Sequence, residues 1–149
     1  MLVGVPKEIK DHEYRVGLIP STVRELVSKG HRVLVETGAS HGAGIGDDDY
    51  AATGAEIVSC ADQVFDRAEL IVKVKEPLAE ERRKLKRGQI LFTYLHLAAD
   101  PRQTEGLIAA GVSAIAYPRR SRRRAPIPNR SSGIASWRRG PKARRAPLW

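Results

Sequence analysis

Short apolar runs recur along the first 117 residues, and polar or amphipathic stretches separate them. The runs are rich in Val, Ile and Leu, which is typical of strands that are buried on both faces of a sheet. The stretches between them have helical length, and most end at a glycine. The predicted strands cover residues 2–5, 32–36, 56–59, 70–74, 89–95 and 112–117. The predicted helices cover residues 22–29, 47–53, 61–67, 78–87 and 101–110.

Two local signals mark predicted helix starts. Thr22 and Glu25 have the spacing of a capping box, in which two side chains satisfy free amides at the start of a helix. Asp47, Asp48 and Asp49 would complement the positive end of a short helix. Because strands alternate with helices, the sequence predicts right-handed βαβ units. The predicted fold class is α/β, with a mostly parallel sheet flanked by helices in a Rossmann-like arrangement.

Charge divides the chain into two parts. The 149 residues carry a formal net charge of +9, but residues 1–117 sum to −2 and residues 118–149 to +11. Residues 118–149 contain ten arginines, five prolines and both tryptophans, and no acidic residue. Such a composition cannot bury enough apolar surface to offset the entropy lost on ordering. We expect a folded domain over residues 1–117 and a disordered basic tail over residues 118–149.

The cellular compartment is predicted from cysteine usage and hydropathy. Cys60 is the single cysteine, so no internal disulfide is expected, and its side chain is predicted to be buried. The first residues do not have the charged and apolar regions of a signal peptide. No apolar run approaches the roughly 20 residues that cross a bilayer. We therefore expect a cytoplasmic protein without membrane contact.

Three basic or protonatable residues follow predicted strands. Arg15 lies in the loop after the first strand, Lys75 directly follows the fourth, and His96 directly follows the fifth. In a parallel sheet, ligands bind beyond the carboxyl ends of the strands. Arg grips a carboxylate with two parallel hydrogen bonds, Lys adds a point charge, and His exchanges protons near neutral pH. The three together suit a small carboxylate that undergoes proton-coupled chemistry at the adjacent carbon.

Each of these residues also has a structural interpretation. Arg15 is compatible with a solvated surface loop. The alternation in Lys73-Val74-Lys75 would place both lysines on a solvated face. His96 ends an apolar strand, where a titratable group needs a partner or a task. A hydrogen-bonded structural histidine fits that position equally well.

Neither a metal site nor a dinucleotide cradle is predicted. His12, His31 and His41 have no partners at metal-ligand spacing. The glycine-rich loop 38–46 follows a strand, but its glycines do not have the G-x-G-x-x-G spacing. Three aspartates at the next helix start would also repel a pyrophosphate.

Six segments span the first 117 residues without a large gap: residues 3–10, 13–16, 35–38, 71–77, 88–97 and 114–117. Taken together, they resemble the amino-terminal domain of the alanine dehydrogenase and pyridine nucleotide transhydrogenase family. Transhydrogenases do not typically carry the lysine of Lys-Val-Lys-Glu-Pro or the histidine of Tyr-Leu-His-Leu. Both are present here, so the chain is more similar to alanine dehydrogenases.

The resemblance implies a role for each of the three residues. Arg15 and Lys75 would bind the carboxylate of L-alanine or pyruvate, and His96 would exchange a proton with the substrate. The family's reaction converts L-alanine, NAD and water to pyruvate, ammonia and NADH. NAD binds to a later Rossmann domain that also supplies a catalytic aspartate, so no NAD-binding residue is expected in this chain. The intact enzyme would be a homo-oligomer.

After Tyr117 the sequence departs from the family's pattern. The family continues with an acidic residue and an apolar segment, whereas here the basic tail begins at Pro118. Out-of-frame translation of GC-rich DNA produces this kind of composition, and we expect a frameshift near residue 118. The chain would then be a truncated alanine dehydrogenase that is inactive alone. The alternatives are a transhydrogenase domain and a nucleic-acid-binding protein that acts through its basic tail.

Overall fold

The computed structural model describes residues 1–117, which form a six-stranded sheet with helices on both faces. The strands are β1 (Leu2–Val5), β2 (Arg32–Glu36), β3 (Glu56–Val58), β4 (Leu70–Val72), β5 (Ile90–Thr93) and β6 (Ser113–Ala116). The helices are α1 (Pro20–Ser28), α2 (Asp47–Ala51), α3 (Ala61–Arg67), α4 (Ala79–Arg82) and α5 (Pro101–Ala110), with a short 3₁₀ helix at His41–Ala43. The predictions for residues 118–149 lie outside the described residues.

All neighbouring strands are parallel, in the order β3-β2-β1-β4-β5-β6. The chain builds outward from β1 in one direction, returns to the centre, and builds outward in the other direction. This is the strand order of the doubly wound Rossmann-like folds. The α/β prediction is therefore confirmed, and the sheet is parallel throughout.

The sheet is buried between two apolar cores. On one face, inward side chains of β1 and β2 pack against α1 and α2. That core comprises Val3, Val5, Val23, Val33, Val35, Ala39, Tyr50 and Val72. On the other face, alternate strand residues pack against α3 and α5. This second core comprises Leu34, Val58, Val64, Phe65, Ala68, Ile71, Leu85, Leu91, Leu95 and Leu107. Because both faces of the central strands are covered, those strands appear in the sequence as continuous apolar runs.

Two helix predictions are wrong in detail. The capping box of Thr22 and Glu25 is absent, because a proline starts α1 two residues earlier, with Ile19 at the N-cap and no side-chain cap. The helix predicted over residues 78–87 is limited to the four residues of α4. The chain then turns and buries Leu85 in the second core. The aspartates at the start of α2 lie in its first turn, as predicted.

Parts of the domain are more exposed than the sequence predicts. Cys60 is exposed rather than buried, because it is the N-cap residue of α3 and not part of a strand. All four residues of β6 are exposed at the edge of the sheet, and Ile115 retains 51% of its accessible surface. Within residues 1–117, no helix has the length and apolar character needed to cross a membrane.

Candidate functional site

The order of the strands creates a switch point at one edge of the sheet, and the space between the loops there is called the crevice below. The order reverses between β1 and β4, so the loops that follow these strands lead in opposite directions. Ligands of doubly wound folds bind at such a switch point. Arg15 lies in the loop after β1, Lys75 lies three residues after β4, and His96 lies three residues after β5. The structure thus places all three predicted residues at the carboxyl edge of the sheet.

Arg15 is held by Glu13 from the same loop. Its Nε donates to Glu13 Oε1 at 2.7 Å, and its Nη2 donates to Oε2 at 2.6 Å. The backbone amide of Arg15 donates to Oε1 at 3.0 Å. The side-chain hydrogen bonds from Arg15 are the main cause that lowers the pKa of Glu13 to about 2. The Glu13 side chain is 6% exposed and that of Arg15 is 67% exposed, so the carboxylate anchors a guanidinium that faces solvent.

Lys75 acts electrostatically on this ion pair. Its ammonium is one of the charges that lower the pKa of Glu13, after the larger effect of Arg15. The Lys75 carbonyl accepts a hydrogen bond from Thr93 Oγ1 at 2.7 Å, which ties the lysine to the end of β5. The side chain is half-buried, and within residues 1–117 its amino group makes no hydrogen bond or ion pair. Lys75 thus brings an unneutralised charge to the crevice.

His96 has an unusual backbone conformation. Its φ of +46° lies in the left-handed region, which residues other than glycine rarely adopt. Its imidazole is exposed, and the ring centroid lies 4.6 Å from that of Tyr94. His96 lines a shallow pocket of about 370 Å³ with Tyr94, Leu97 and Tyr117. In the described part of the chain its ring forms no hydrogen bond. No hydrogen bond joins it to Arg15 or Lys75 there either.

Tyr117 lines the pocket of His96 and lies within the electrostatic influence of Arg15. It follows β6, and its hydroxyl donates a hydrogen bond to the carbonyl oxygen of Lys73. Its ring packs edge-on against Phe92, with centroids 4.8 Å apart. Burial raises the pKa of Tyr117, and the charge of Arg15 opposes that effect. The charge of Arg15 therefore acts on a residue that lines the same pocket as His96.

Lys73 is buried, which overturns the interpretation that Lys73 and Lys75 share a solvated face. Its side chain is 1% exposed and lies between two carboxylates, those of Glu8 and Glu81, which are 2% and 4% exposed. Its Nζ donates to Glu81 Oε1 and lies 3.3 Å from Glu8 Oε2. Burial raises the pKa of Glu8, although Lys73 and the amide of Val74 oppose the change. These three residues are called the buried charge cluster below.

Sequence reasoning missed Glu13, Tyr117 and the buried charge cluster. One signal was available for Lys73, because it continues the apolar run of β4, where a charge is found only when it is paired. Glu8 and Glu81 gave no such signal. They lie in polar stretches and reach Lys73 only through the tertiary fold.

The fold and the site define a class of protein: a doubly wound α/β domain with two cations and a protonatable ring after the carboxyl ends of its strands. Residues 4–135 match the family described as alanine dehydrogenase/PNT, N-terminal domain. The chain belongs to this family.

Individual relatives agree with the family match. Alanine dehydrogenase from Mycolicibacterium smegmatis is 53% identical over 117 residues, which is 78% of this chain and 32% of that protein. A solved L-alanine dehydrogenase structure superposes with a TM-score of 0.77 at 54% identity, over 78% of this chain and 32% of the other. The structure of a transhydrogenase from Sinorhizobium meliloti superposes with a TM-score of 0.74 at 29% identity, over 82% of this chain and 37% of the other. The chain spans about a third of the length of the curated relatives it matches.

Proposed function

We propose that residues 1–117 are the substrate-binding domain of an alanine dehydrogenase, the enzyme that interconverts L-alanine with pyruvate and ammonia. The observation that carries the proposal is the pair of cations at the switch point. Arg15 and Lys75 reach this crevice from the loops after β1 and β4, and both act on Glu13. Two cations at one crevice favour a small anion with a single carboxylate.

The geometry of Arg15 supports a role in binding the substrate carboxylate. Glu13 occupies the Nε and Nη2 edge of the guanidinium. The edge formed by Nη1 and Nη2 has no partner among residues 1–117. A carboxylate can bind there with two parallel hydrogen bonds, because the fork of guanidinium donors matches its two oxygens. Lys75 would add its charge to the same carboxylate and fix the orientation of the adjacent carbon.

His96 would exchange the proton that moves during the reaction. Its exposed imidazole lines a pocket together with Tyr117, on which the charge of Arg15 acts. An imidazole can both accept and donate a proton, so the ring can take a proton from the substrate and return it. The strained φ of His96 supports this assignment, because strain of this kind persists where the surrounding structure holds it, often at functional sites.

The described residues do not fit NAD, the hydride acceptor in this proposal. The Asp47 carboxylate accepts a hydrogen bond from the backbone amide of Gly38 at 2.9 Å, an amide that a phosphate would need. Asp48 and Asp49 also start α2 and would repel a pyrophosphate. NAD would therefore be held outside residues 1–117. A homo-oligomeric intact enzyme and a cytoplasmic location are parts of the same proposal.

A transhydrogenase domain is the second candidate, because the Sinorhizobium meliloti structure superposes with a TM-score of 0.74. The identity of 29% is lower than the 54% with L-alanine dehydrogenase. Lys75 and His96 also favour the first candidate, since the resemblance to alanine dehydrogenases rests on them. Nucleic-acid binding through the basic tail stays a prediction, because it concerns residues outside the described part of the chain.

Pyruvate binding to the 149-residue chain tests the proposed function. We expect titration with pyruvate to shift the NMR signals of Arg15 Nε–H and of the Lys75 side chain. Arg15→Met should weaken binding about tenfold or more, because hydrogen bonds to charged groups contribute about 1.5–3 kcal/mol. Arg24→Met is the matched control, since Arg24 is an exposed arginine on α1. Equal pyruvate affinity for wild type and Arg15→Met would exclude this site.

A further inference from the structure

The segment that carries Lys75 is fixed at both of its ends. This segment, residues 73–78, joins β4 to α4. Near its start, the amide of Val74 donates to Glu8 Oε1 at 2.7 Å. At its end, the amide of Leu78 donates to Glu81 Oε2 at 2.9 Å. Each carboxylate thus uses one oxygen for the backbone of the segment and directs the other toward Lys73.

Lys73 connects the two carboxylates. Its Nζ donates to Glu81 Oε1 and lies 3.3 Å from Glu8 Oε2. Tyr117 donates to the Lys73 carbonyl, and the Lys73 amide donates to the Phe92 carbonyl at 3.0 Å. The first residue of the segment is therefore held by its side chain, its carbonyl and its amide.

Stability alone does not account for this cluster. Two carboxylates surround one ammonium, and all three side chains are almost fully buried. The desolvation of buried charges often outweighs their mutual attraction, so apolar residues of similar volume frequently give a more stable protein. In addition, Glu8 Oε2 is buried and accepts no hydrogen bond within residues 1–117. The best-attested use of such buried charges is to select one arrangement of the surrounding chain.

The buried charge cluster links the loop that carries Arg15 to the segment that carries Lys75. Glu8 belongs to the loop after β1, which also carries Arg15, and its partners Lys73 and Val74 belong to the segment of Lys75. A second contact between the same two loops is the ion pair of Lys10 with Glu76. That ion pair is partly exposed, whereas the Glu8 contact is buried and less screened by solvent.

We propose that Glu8 and Lys73 are positioning residues, which fix the segment 73–78 relative to the loop after β1 so that Lys75 and Arg15 act on one carboxylate. This inference rests on the proposed function, because it assigns these residues to pyruvate binding. Neither residue touches the substrate. Their contribution is to set the spacing between Arg15 and Lys75, the two cations proposed to bind the carboxylate.

A pair of substitutions at Glu8 separates positioning from folding. Glu8→Gln keeps an oxygen that can accept the Val74 amide, whereas Glu8→Leu removes both the acceptor and the charge. We expect Glu8→Gln to retain pyruvate affinity within about twofold and Glu8→Leu to lose about tenfold. Hydrogen exchange of the Leu78 amide should accelerate in Glu8→Leu, although the Glu81 acceptor of that amide is unchanged. All measurements are made on the 149-residue chain, well below its unfolding temperature.

The controls decide between the outcomes. Glu25→Leu removes an exposed carboxylate on α1 and should change neither property. If the cluster contributes only to stability, Glu8→Leu should accelerate exchange at Leu34 in the core as much as at Leu78. The pyruvate affinity of the folded protein would then be unchanged. That combination would overturn the proposal. If wild type does not bind pyruvate, the proposed function fails. Exchange at Leu78 then decides the positioning role by itself, and an unchanged rate overturns it.

Discussion

At the scale of single residues, Arg15 shows how a cation can be prepared for a ligand. An arginine side chain has considerable rotamer freedom, and binding a ligand usually costs the entropy of ordering it. Here Glu13 has already ordered the guanidinium through a bidentate ion pair. The Glu13 carboxylate is almost buried and the guanidinium is mostly exposed. The ion pair therefore presents an oriented charge to solvent.

The ionisation of Glu13 is a direct test of this ion pair. The pKa of Glu13 in the folded protein is about 2, against an ordinary value of 4.5. Because the folded pKa lies below the unfolded one, the pair stabilises the fold fully above about pH 4.5 and loses that effect as the pH falls toward 2. NMR titration of the Glu13 side-chain carboxyl carbon should give a midpoint near 2. The midpoint should rise in Arg15→Met, and a wild-type midpoint near 4.5 would contradict the ion pair.

At the scale of elements, sequence predicted the strands better than the helices. Strands that are buried on both faces leave uninterrupted apolar runs, and β1, β2 and β4 lie within the predicted ranges. Helix boundaries depend on local capping, and the start of α1 is set by a proline with no side-chain cap. The predicted helix 78–87 ends early at Arg82, because the chain then turns and places Leu85 in the core. That choice is made by tertiary packing, which local patterns do not contain.

The site was predictable only where topology controls it. Arg15, Lys75 and His96 follow parallel strands, so their shared edge of the sheet follows from the fold class alone. The contact between Glu8 and Val74 joins residues 66 positions apart, and no local spacing announces it. The positive φ of His96 was equally hidden, because no glycine stands at that position to indicate a left-handed turn.

Gly4 in β1 tests the packing between a central strand and a helix. A Cβ at this position would lie 2.6 Å from Val64 Cγ1 and 2.7 Å from Ala68 Cβ. Val64 lies in α3 and Ala68 directly follows it, and this region packs on β1 with little space for relaxation. Overpacking of a core costs about 1–3 kcal/mol, so Gly4→Ala should lower the free energy of unfolding by that amount in chemical denaturation.

The matched control adds the same methyl group at Gly106 in α5. There the nearest atoms belong to the flexible side chain of Arg82, at 3.1 Å. Alanine is favoured over glycine in a helix interior by about 1 kcal/mol, so Gly106→Ala should leave the protein as stable or more stable. If Gly4→Ala were as stable as wild type, α3 would not pack against β1 as closely as the structure shows.

At the scale of the whole molecule, the proposed function assigns the described domain only the substrate side of the reaction. It carries the candidate groups for a carboxylate and a proton at one edge of its sheet. In the proposed function the hydride acceptor binds outside this domain, because acidic side chains stand at the start of α2 and one of them accepts the Gly38 amide. The relatives it matches are about three times longer. The proposed activity therefore depends on how residues 1–117 act together with a nucleotide-binding partner domain.

A chimera provides the test at this scale. We expect the 149-residue chain to produce no NADH from L-alanine and NAD, because hydride transfer needs both reactants held in one geometry, an effect that contributes about 7–11 kcal/mol. Residues 1–117 joined to the remainder of the Mycolicibacterium smegmatis alanine dehydrogenase should restore turnover, since the replaced region is 53% identical. In that chimera, His96→Ala should lower kcat by about 10²-fold or more, the usual contribution of a general acid–base group. His31→Ala is the control, because His31 precedes β2 and lies at the opposite edge of the sheet. NADH production by the 149-residue chain itself would reveal a nucleotide site within it, and an unchanged kcat in His96→Ala would remove His96 from the proton transfer.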